Sequence, residues 1–258
     1  MCGIAGYVSD KKPTKKIIKA MTDRIAHRGP DGEGFYLDDN IALGHRRLAI
    51  IDLETGDQPI YNEDKDIVVI LNGEIYNYQE LREELKKKKH KFSTKTDTEV
   101  LVHGYEEWGH DLTKKLRGMY AFAIWNKKEK ELYMPRDGWG IKPLYYYQND
   151  KTLMFASEIK AFLDHPDFKK EINDEILSAY LCFNSVPTEE TFFKGVKRVE
   201  PGHQLIYKDN KLEIERFFKL EFDEQNTDIE KSAEEINEAM KDSVKRHFHA
   251  DVEVGSLL

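Results

Sequence analysis

The chain predicts an α+β fold in which two sheets pack face to face with helices outside them. Short apolar strand-like runs come in blocks, amphipathic helices are grouped between those blocks, and several strands are apolar almost without interruption, the mark of strands covered on both faces. With 258 residues, 40% of them hydrophobic, there is material for one large core or for a domain plus part of another.

Ile4 to Val8 reads as a buried strand, after which Pro13-Thr14 starts a helix with Ile17, Ile18, Met21 and Ile25 at helical spacing. That helix ends at His27-Arg28-Gly29-Pro30. Strands are expected at Ile41 to Leu43, Leu48 to Ile51 and Ile67 to Leu71, with a turn at Glu54-Thr55-Gly56-Asp57. Asn77 and Glu80 form a capping pair for the helix carrying Leu81 and Leu85, and a second helix runs from about Thr98 to Trp108 and stops at Gly109. Further strands follow at Ala121 to Trp125, Glu131 to Met134, Leu144 to Tyr147 and Leu153 to Ala156, then a short helix after Ser157. Ile176 to Leu181 is helical, and Phe192 to Phe218 is β-rich with hairpin turns at Pro201-Gly202 and Asp209-Asn210. Acidic, polar Glu221 to Asp228 is a linker; Ile229, Ala233, Ile236, Met240 and Val244 mark an amphipathic helix, and Val252 to Leu258 a strand.

A net charge of −8 argues against nucleic acid or an anionic membrane as partner, because phosphate binding needs clustered positive potential. Lys86 to Lys89 reads as a solvated helix end. No apolar run is long enough to span a bilayer, no signal peptide precedes Cys2, and there are only two cysteines, so the cytoplasm is the expected compartment. Histidines and cysteines lack paired ligand spacing, so no structural metal is expected.

The chemistry-bearing residue is Cys2. Removal of Met1 would give it both a thiol and a free α-amine, and an amine titrating near ~7.7–8.0 can take the proton of a thiol titrating near ~8.5 without a histidine partner. Cys2-Gly3-Ile4, His27 to Gly32, Gly44 to Leu48, Asn72-Gly73-Glu74-Ile75-Tyr76-Asn77 and Thr96 to Glu99 together resemble the class II glutamine amidotransferases. Arg136 to Tyr146, Ala156 to Ala161 and Pro201-Gly202-His203 narrow the resemblance to glutamine-hydrolysing asparagine synthetases, over essentially the whole chain.

The resemblance implies a four-layer αββα N-terminal-nucleophile hydrolase fold over residues 2–218, a linker at 219–228, and an incomplete start of an α/β synthetase domain at 229–258. It implies that Cys2 attacks the glutamine amide, that Asn72 and Gly73 form the oxyanion hole, that Arg47 binds the substrate carboxylate and that Asp97 with Glu74 binds its ammonium. Backbone groups around Leu48 and Ile51 are expected to line the pocket. The residues alone leave other readings: Asn72-Gly73 as a hairpin turn, Asp97 as a helix N-cap, Arg46 as a surface or interface charge, Cys182 as an inert core residue and His27 as structural. Gly138 and Pro135 depart from the family pattern, and Pro135 should lie at a sheet edge or bulge.

In the family a strand like Val252 to Ser256 leads into an ATP-pyrophosphate loop, and this chain ends at its threshold. No cofactor is therefore expected within it, ATP and Mg²⁺ belonging with the synthetase domain. Glutamine is the expected partner, beside a second copy or a separately encoded synthetase domain, and the last thirty or so residues are expected to be mobile or to self-associate. Other class II amidotransferases, such as a phosphoribosyl-pyrophosphate amidotransferase, and a non-catalytic dimerisation module are the alternatives.

Overall fold

The computed structural model describes residues 1–222 and 228–255. Strands β1 (Gly3–Ser9), β2 (Gly32–Leu37), β3 (Ile41–Arg47), β8 (Tyr145–Gln148), β9 (Thr152–Ala156) and β10 (Val196–Arg198) form one six-stranded sheet in the order β10-β8-β9-β1-β3-β2. The other holds β4 (Ile60–Tyr61), β5 (Ile67–Ile75), β6 (Gly118–Asn126), β7 (Glu131–Pro135), β11 (His203–Lys208) and β12 (Lys211–Arg216), in the order β12-β11-β7-β6-β5-β4. All the paired strands are antiparallel.

Side-chain alternation explains the layering. Ile4, Leu43 and Phe155 of the first sheet meet Val68, Ile70, Ala123 and Met134 of the second in the central core. The opposite faces of the same strands carry two outer cores. Val69, Leu71 and Phe122 pack under α2 (Tyr78–Lys87) and α3 (Glu99–Trp108), while Ala5, Tyr7 and Met154 pack under α1 (Lys15–Asp23) and the 3-10 turn Ile159–Asp164. Helix, sheet, sheet, helix is the four-layer arrangement.

Several local expectations change. Leu48 to Ile51 is loop rather than strand, because the Leu48 backbone engages Cys2 instead of a neighbouring strand. Asn77 sits at the cap of α2 but makes no capping bond; its carboxamide donates to the Lys115 carbonyl and accepts from the Arg117 N–H, both at 2.9 Å, joining α2 to the loop before β6. Pro201-Gly202 is not a hairpin turn, since β10 and β11 lie in different sheets. Asp209-Asn210 does close a hairpin, both residues adopting the positive φ of a two-residue turn.

Pro135 ends an interior strand rather than an edge strand: β7 runs between β11 and β6, and pairing with β6 lapses after Tyr133 and resumes only at the Ala121–Arg136 bridge. The missing N–H thus falls where the ladder is already interrupted. Gly138 is explained by packing, since a Cβ there would come within 2.8 Å of the Phe218 ring.

Cys182 is exposed, not a core residue, because no residue of α4 (Leu177–Phe183) is buried. Helix α5 (Ile229–His247) begins at an Asp228 cap and likewise buries no residue. Its Asp242 and Arg246 nevertheless pair with Arg117 and Glu80, and His247 lies 4.4 Å from the Tyr76 ring. Residues 252–255 are not a strand; 256–258, and 223–227 of the linker, lie outside the described residues. No helix among the described residues is long and apolar enough to cross a membrane.

Candidate functional site

Strand β1 lies inside the first sheet and faces β5 of the second, so residue 2, just before β1, is delivered to the seam between the sheets. Three groups fix Cys2. The Leu48 N–H donates to its Sγ at 3.4 Å, that Sγ lies 3.7 Å from the Leu48 carbonyl oxygen, and the Arg28 Nε–H donates to the Cys2 carbonyl at 2.9 Å. Arg28 is held in turn by Glu158, 3.0 Å away, and Ser157 exchanges hydrogen bonds with the Ile4 backbone. His27 is exposed and paired with the same Glu158, in keeping with a structural role.

Opposite Cys2, Asn72 and Gly73 lie inside β5 rather than in a turn. Along a strand, backbone N–H groups alternate edges, so those of Leu71, Gly73 and Ile75 point the same way. Beyond the short strand β4 this edge carries no neighbouring strand. The Leu71 N–H is taken by Gln58 Oε1 at 2.6 Å and the Ile75 N–H by Asp97 Oδ2 at 2.8 Å, which leaves the Gly73 N–H between them at the pocket. Glycine is required here because a Cβ would run into the Met119 carbonyl and Tyr120 Cα of β6. The Asn72 side chain is fully buried, and neither its Nδ2 nor its Oδ1 has a hydrogen-bond partner. An unpaired buried amide is costly unless something binds it.

The rest of the pocket comes from three loops. Arg47, the last residue of β3, donates to Asp57 Oδ1 at 2.8 Å and to the carbonyls of Ile51, Asp52 and Leu53, so its guanidinium is caged by the loop it lines. Asp97 precedes α3 but does not cap it; its carboxylate accepts from Ile75, Thr96 and Thr98. Burial pushes its pKa above the usual carboxylate range. Burial first and the Asp97 charge second push Glu74 up to about 7. Two carboxyl groups facing one cavity leave a site that gains a great deal from a cation. The Cys2 thiol is raised by burial, against the Leu48 hydrogen bond and the N-terminal charge.

Leu48, Ile51, Glu74 and Asp97 all line this pocket with Cys2, Arg47, Asn72 and Gly73, so the structure brings together the eight residues expected at the glutamine site. It also adds some. Gln58 and Thr98 form its inner wall, joined at 3.3 Å, and Lys142 reaches the pocket with its Nζ 3.2 Å from Met1 Sδ. Lys142 is placed by Asp137, whose buried carboxylate accepts from the N–H groups of Trp139, Ile141 and Lys142. Only its place in the Arg136 to Tyr146 run could have marked it in the sequence. Arg46 is bound to Asp23 and Glu33 outside the pocket.

Comparison with known proteins agrees with this geometry. The glutamine amidotransferase domain family matches residues 1–218. Over its full length the chain is 44% identical to asparagine synthetase [glutamine-hydrolyzing] 1 of Bacillus subtilis (strain 168), and 36% identical to a putative asparagine synthetase of Methanocaldococcus jannaschii. It spans 42% and 54% of the lengths of those relatives. A solved glutamine phosphoribosylpyrophosphate amidotransferase from B. subtilis superposes with a TM-score of 0.61 at 23% identity, covering 84% of this chain and 49% of the other, a likeness of fold. The chain belongs to the glutamine amidotransferase domain family.

Proposed function

We propose that, once Met1 is removed, Cys2 hydrolyses the side-chain amide of glutamine, and that the ammonia released feeds asparagine synthesis. One observation carries the reading: the Cys2 sulfur, held by the Leu48 backbone, lines the same pocket as the unpartnered Asn72 carboxamide and Gly73.

A buried thiol with a raised pKa needs a base close by, and the α-amine of Cys2 is attached to the same residue. While Met1 remains, that nitrogen is an amide and cannot act. With the amine free, Sγ adds to the amide carbon as the amine takes its proton, and the oxyanion forms against Asn72 and Gly73. Collapse breaks the C–N bond, the amine returns the proton to the leaving nitrogen, and ammonia departs from a γ-glutamyl thioester. Water, deprotonated by the same amine, then attacks the thioester and releases glutamate.

Glu74 and Asp97 supply the two negative charges that fit the substrate ammonium. Arg47 faces the carboxylate end, where a substrate carboxylate would replace the exposed Asp57 on its guanidinium. The link to asparagine synthesis rests on the relatives of which this chain spans about half or less, and the ATP-dependent step is assigned to sequence outside residues 1–258. The uncovered Ile236, Met240 and Val244 of α5 support contact with such sequence. Glutamine-dependent ammonia and glutamate release by the processed chain, lost in Cys2→Ala, tests the hydrolase; ammonia release that persists in that variant contradicts it.

A further inference from the structure

Away from the glutamine pocket, the fold gathers four potential metal ligands from three separate segments: Glu63 after β4, His90 after α2, and His103 with Glu106 one turn apart on α3. One donor atom from each lies within 4.8 Å of all the others. The close separations are 3.2 Å from His103 Nδ1 to Glu106 Oε2, 3.4 Å from His103 Nδ1 to Glu63 Oε2, and 3.5 Å from His90 Nδ1 to Glu106 Oε2. A zinc ion bound at ~2.0–2.1 Å in a tetrahedron sets its ligand atoms ~3.3–3.4 Å apart, close to these three separations, and the others lie within 4.8 Å.

The atoms facing away from this centre supply the second, independent observation. Glu63 Oε1 accepts from the Lys91 N–H at 2.8 Å, Glu106 Oε1 accepts from Asn62 Nδ2 at 2.8 Å, and His90 Nε2 lies 2.9 Å from Glu107 Oε1. His103, 1% exposed, turns its Nε2 toward Glu99 at 3.9 Å, and that nitrogen has no hydrogen-bond partner. Glu63, His90 and Glu106 are thus oriented by their outer atoms, and the buried His103 turns its Nδ1 inward, where it is hydrogen-bonded to Glu106 Oε2 at 3.2 Å. An outer carboxylate behind a metal-bound imidazole, as Glu107 lies behind His90, is the arrangement that fixes the ring and its tautomer. The donor set, two imidazoles and two carboxylates, suits a borderline divalent ion rather than a soft one.

The geometry points to a tetrahedral site for a zinc-class divalent cation formed by Glu63, His90, His103 and Glu106. Bound there, the ion would tie the turn after β4 to both ends of the segment between α2 and α3, the segment that carries Thr96 and Asp97. This inference does not depend on the proposed hydrolase reaction.

The test uses tag-free, chelator-treated protein titrated with Zn²⁺ against a competing chelator, and with Co²⁺ as a spectroscopic probe. The expected result is one tight equivalent, a rise in melting temperature on Zn²⁺ addition, and visible tetrahedral Co²⁺ bands without the near-ultraviolet charge-transfer band of a thiolate. His90→Gln and Glu63→Gln should each weaken binding by at least about tenfold while leaving glutamine turnover unchanged. A thiolate band, binding undiminished in both variants, or no tight equivalent in the wild type would each overturn the site, the last reducing the cluster to an ion-pair network.

Discussion

At the scale of single residues, Asn72 is the sharpest case. In the proposed reaction its donor faces charge that exists only while the tetrahedral intermediate is present, so Asn72→Ala should lower kcat by ~10²–10³ with little change in KM. A rise in KM alone, measured by steady-state glutaminase kinetics, would make it a binding residue. Glu74 gives a pH signature. In the empty pocket its neutral form is favoured, so its contribution to stability is full below the ordinary value of 4.5 and is lost as pH rises through about 7. In the proposed pocket, glutamine binding needs the ionised form. The KM for glutamine should therefore rise as pH falls below about 7, and Glu74→Gln should raise KM and flatten that dependence. That Cys2, Arg47, Asn72, Gly73, Glu74 and Asp97 would share one pocket was legible in the sequence through the motifs that carry the family resemblance. Arg28 and Gln58 were not, because their roles depend on partners brought near only by the fold: Glu158 for Arg28, and the Leu71 backbone and Thr98 for Gln58.

At the scale of elements, close backbone approach decides what β5 can tolerate. Gly73→Ala forces a Cβ against the backbone of β6, and overpacking of this kind costs ~1–3 kcal/mol. Chemical denaturation should show that loss, together with reduced turnover, because the Gly73 N–H moves with the strand. A contrasting test is Gly138→Lys, which should displace the Phe218 ring and lower stability while leaving the KM for glutamine unchanged. Buried strands such as β5, β6 and β9 were legible because their apolar runs are nearly continuous. Strand β2, Gly-Glu-Gly-Phe-Tyr-Leu, was not, since as a half-exposed edge strand it carries no such run. Leu48 to Ile51 has a strand's composition, but its backbone is committed to Cys2 and Arg47, a tertiary demand that composition does not reveal.

At the scale of the whole molecule, two sheets bring residue 2 and residues 72–74 face to face, and the C-terminal segment leans on the result. The Asp251 N–H donates to the Ile50 carbonyl at 2.9 Å, and its carboxylate accepts from the Asp52 N–H at 2.7 Å, pinning the loop that cages Arg47. The contacts of α5 itself are exposed ion pairs, screened by salt and weak, and the His247 ring against Tyr76. A chain ending at Phe218 should therefore keep its cooperative unfolding and its kcat, with a raised KM for glutamine as the loop loses its pin. Loss of kcat would show that α5 belongs to the hydrolase core. The four layers were legible as sheets covered by helices; the docking of α5 was not, because it buries none of the apolar residues by which a helix is recognised.

The most direct test of the central claim is intact-mass and peptide mapping of the protein after treatment with a diazo-ketone glutamine analogue. The expected result is loss of Met1, one label per chain carried on Cys2, and glutaminase activity that falls in proportion to labelling. A label on the exposed Cys182, or full activity in a chain that retains Met1, would contradict it.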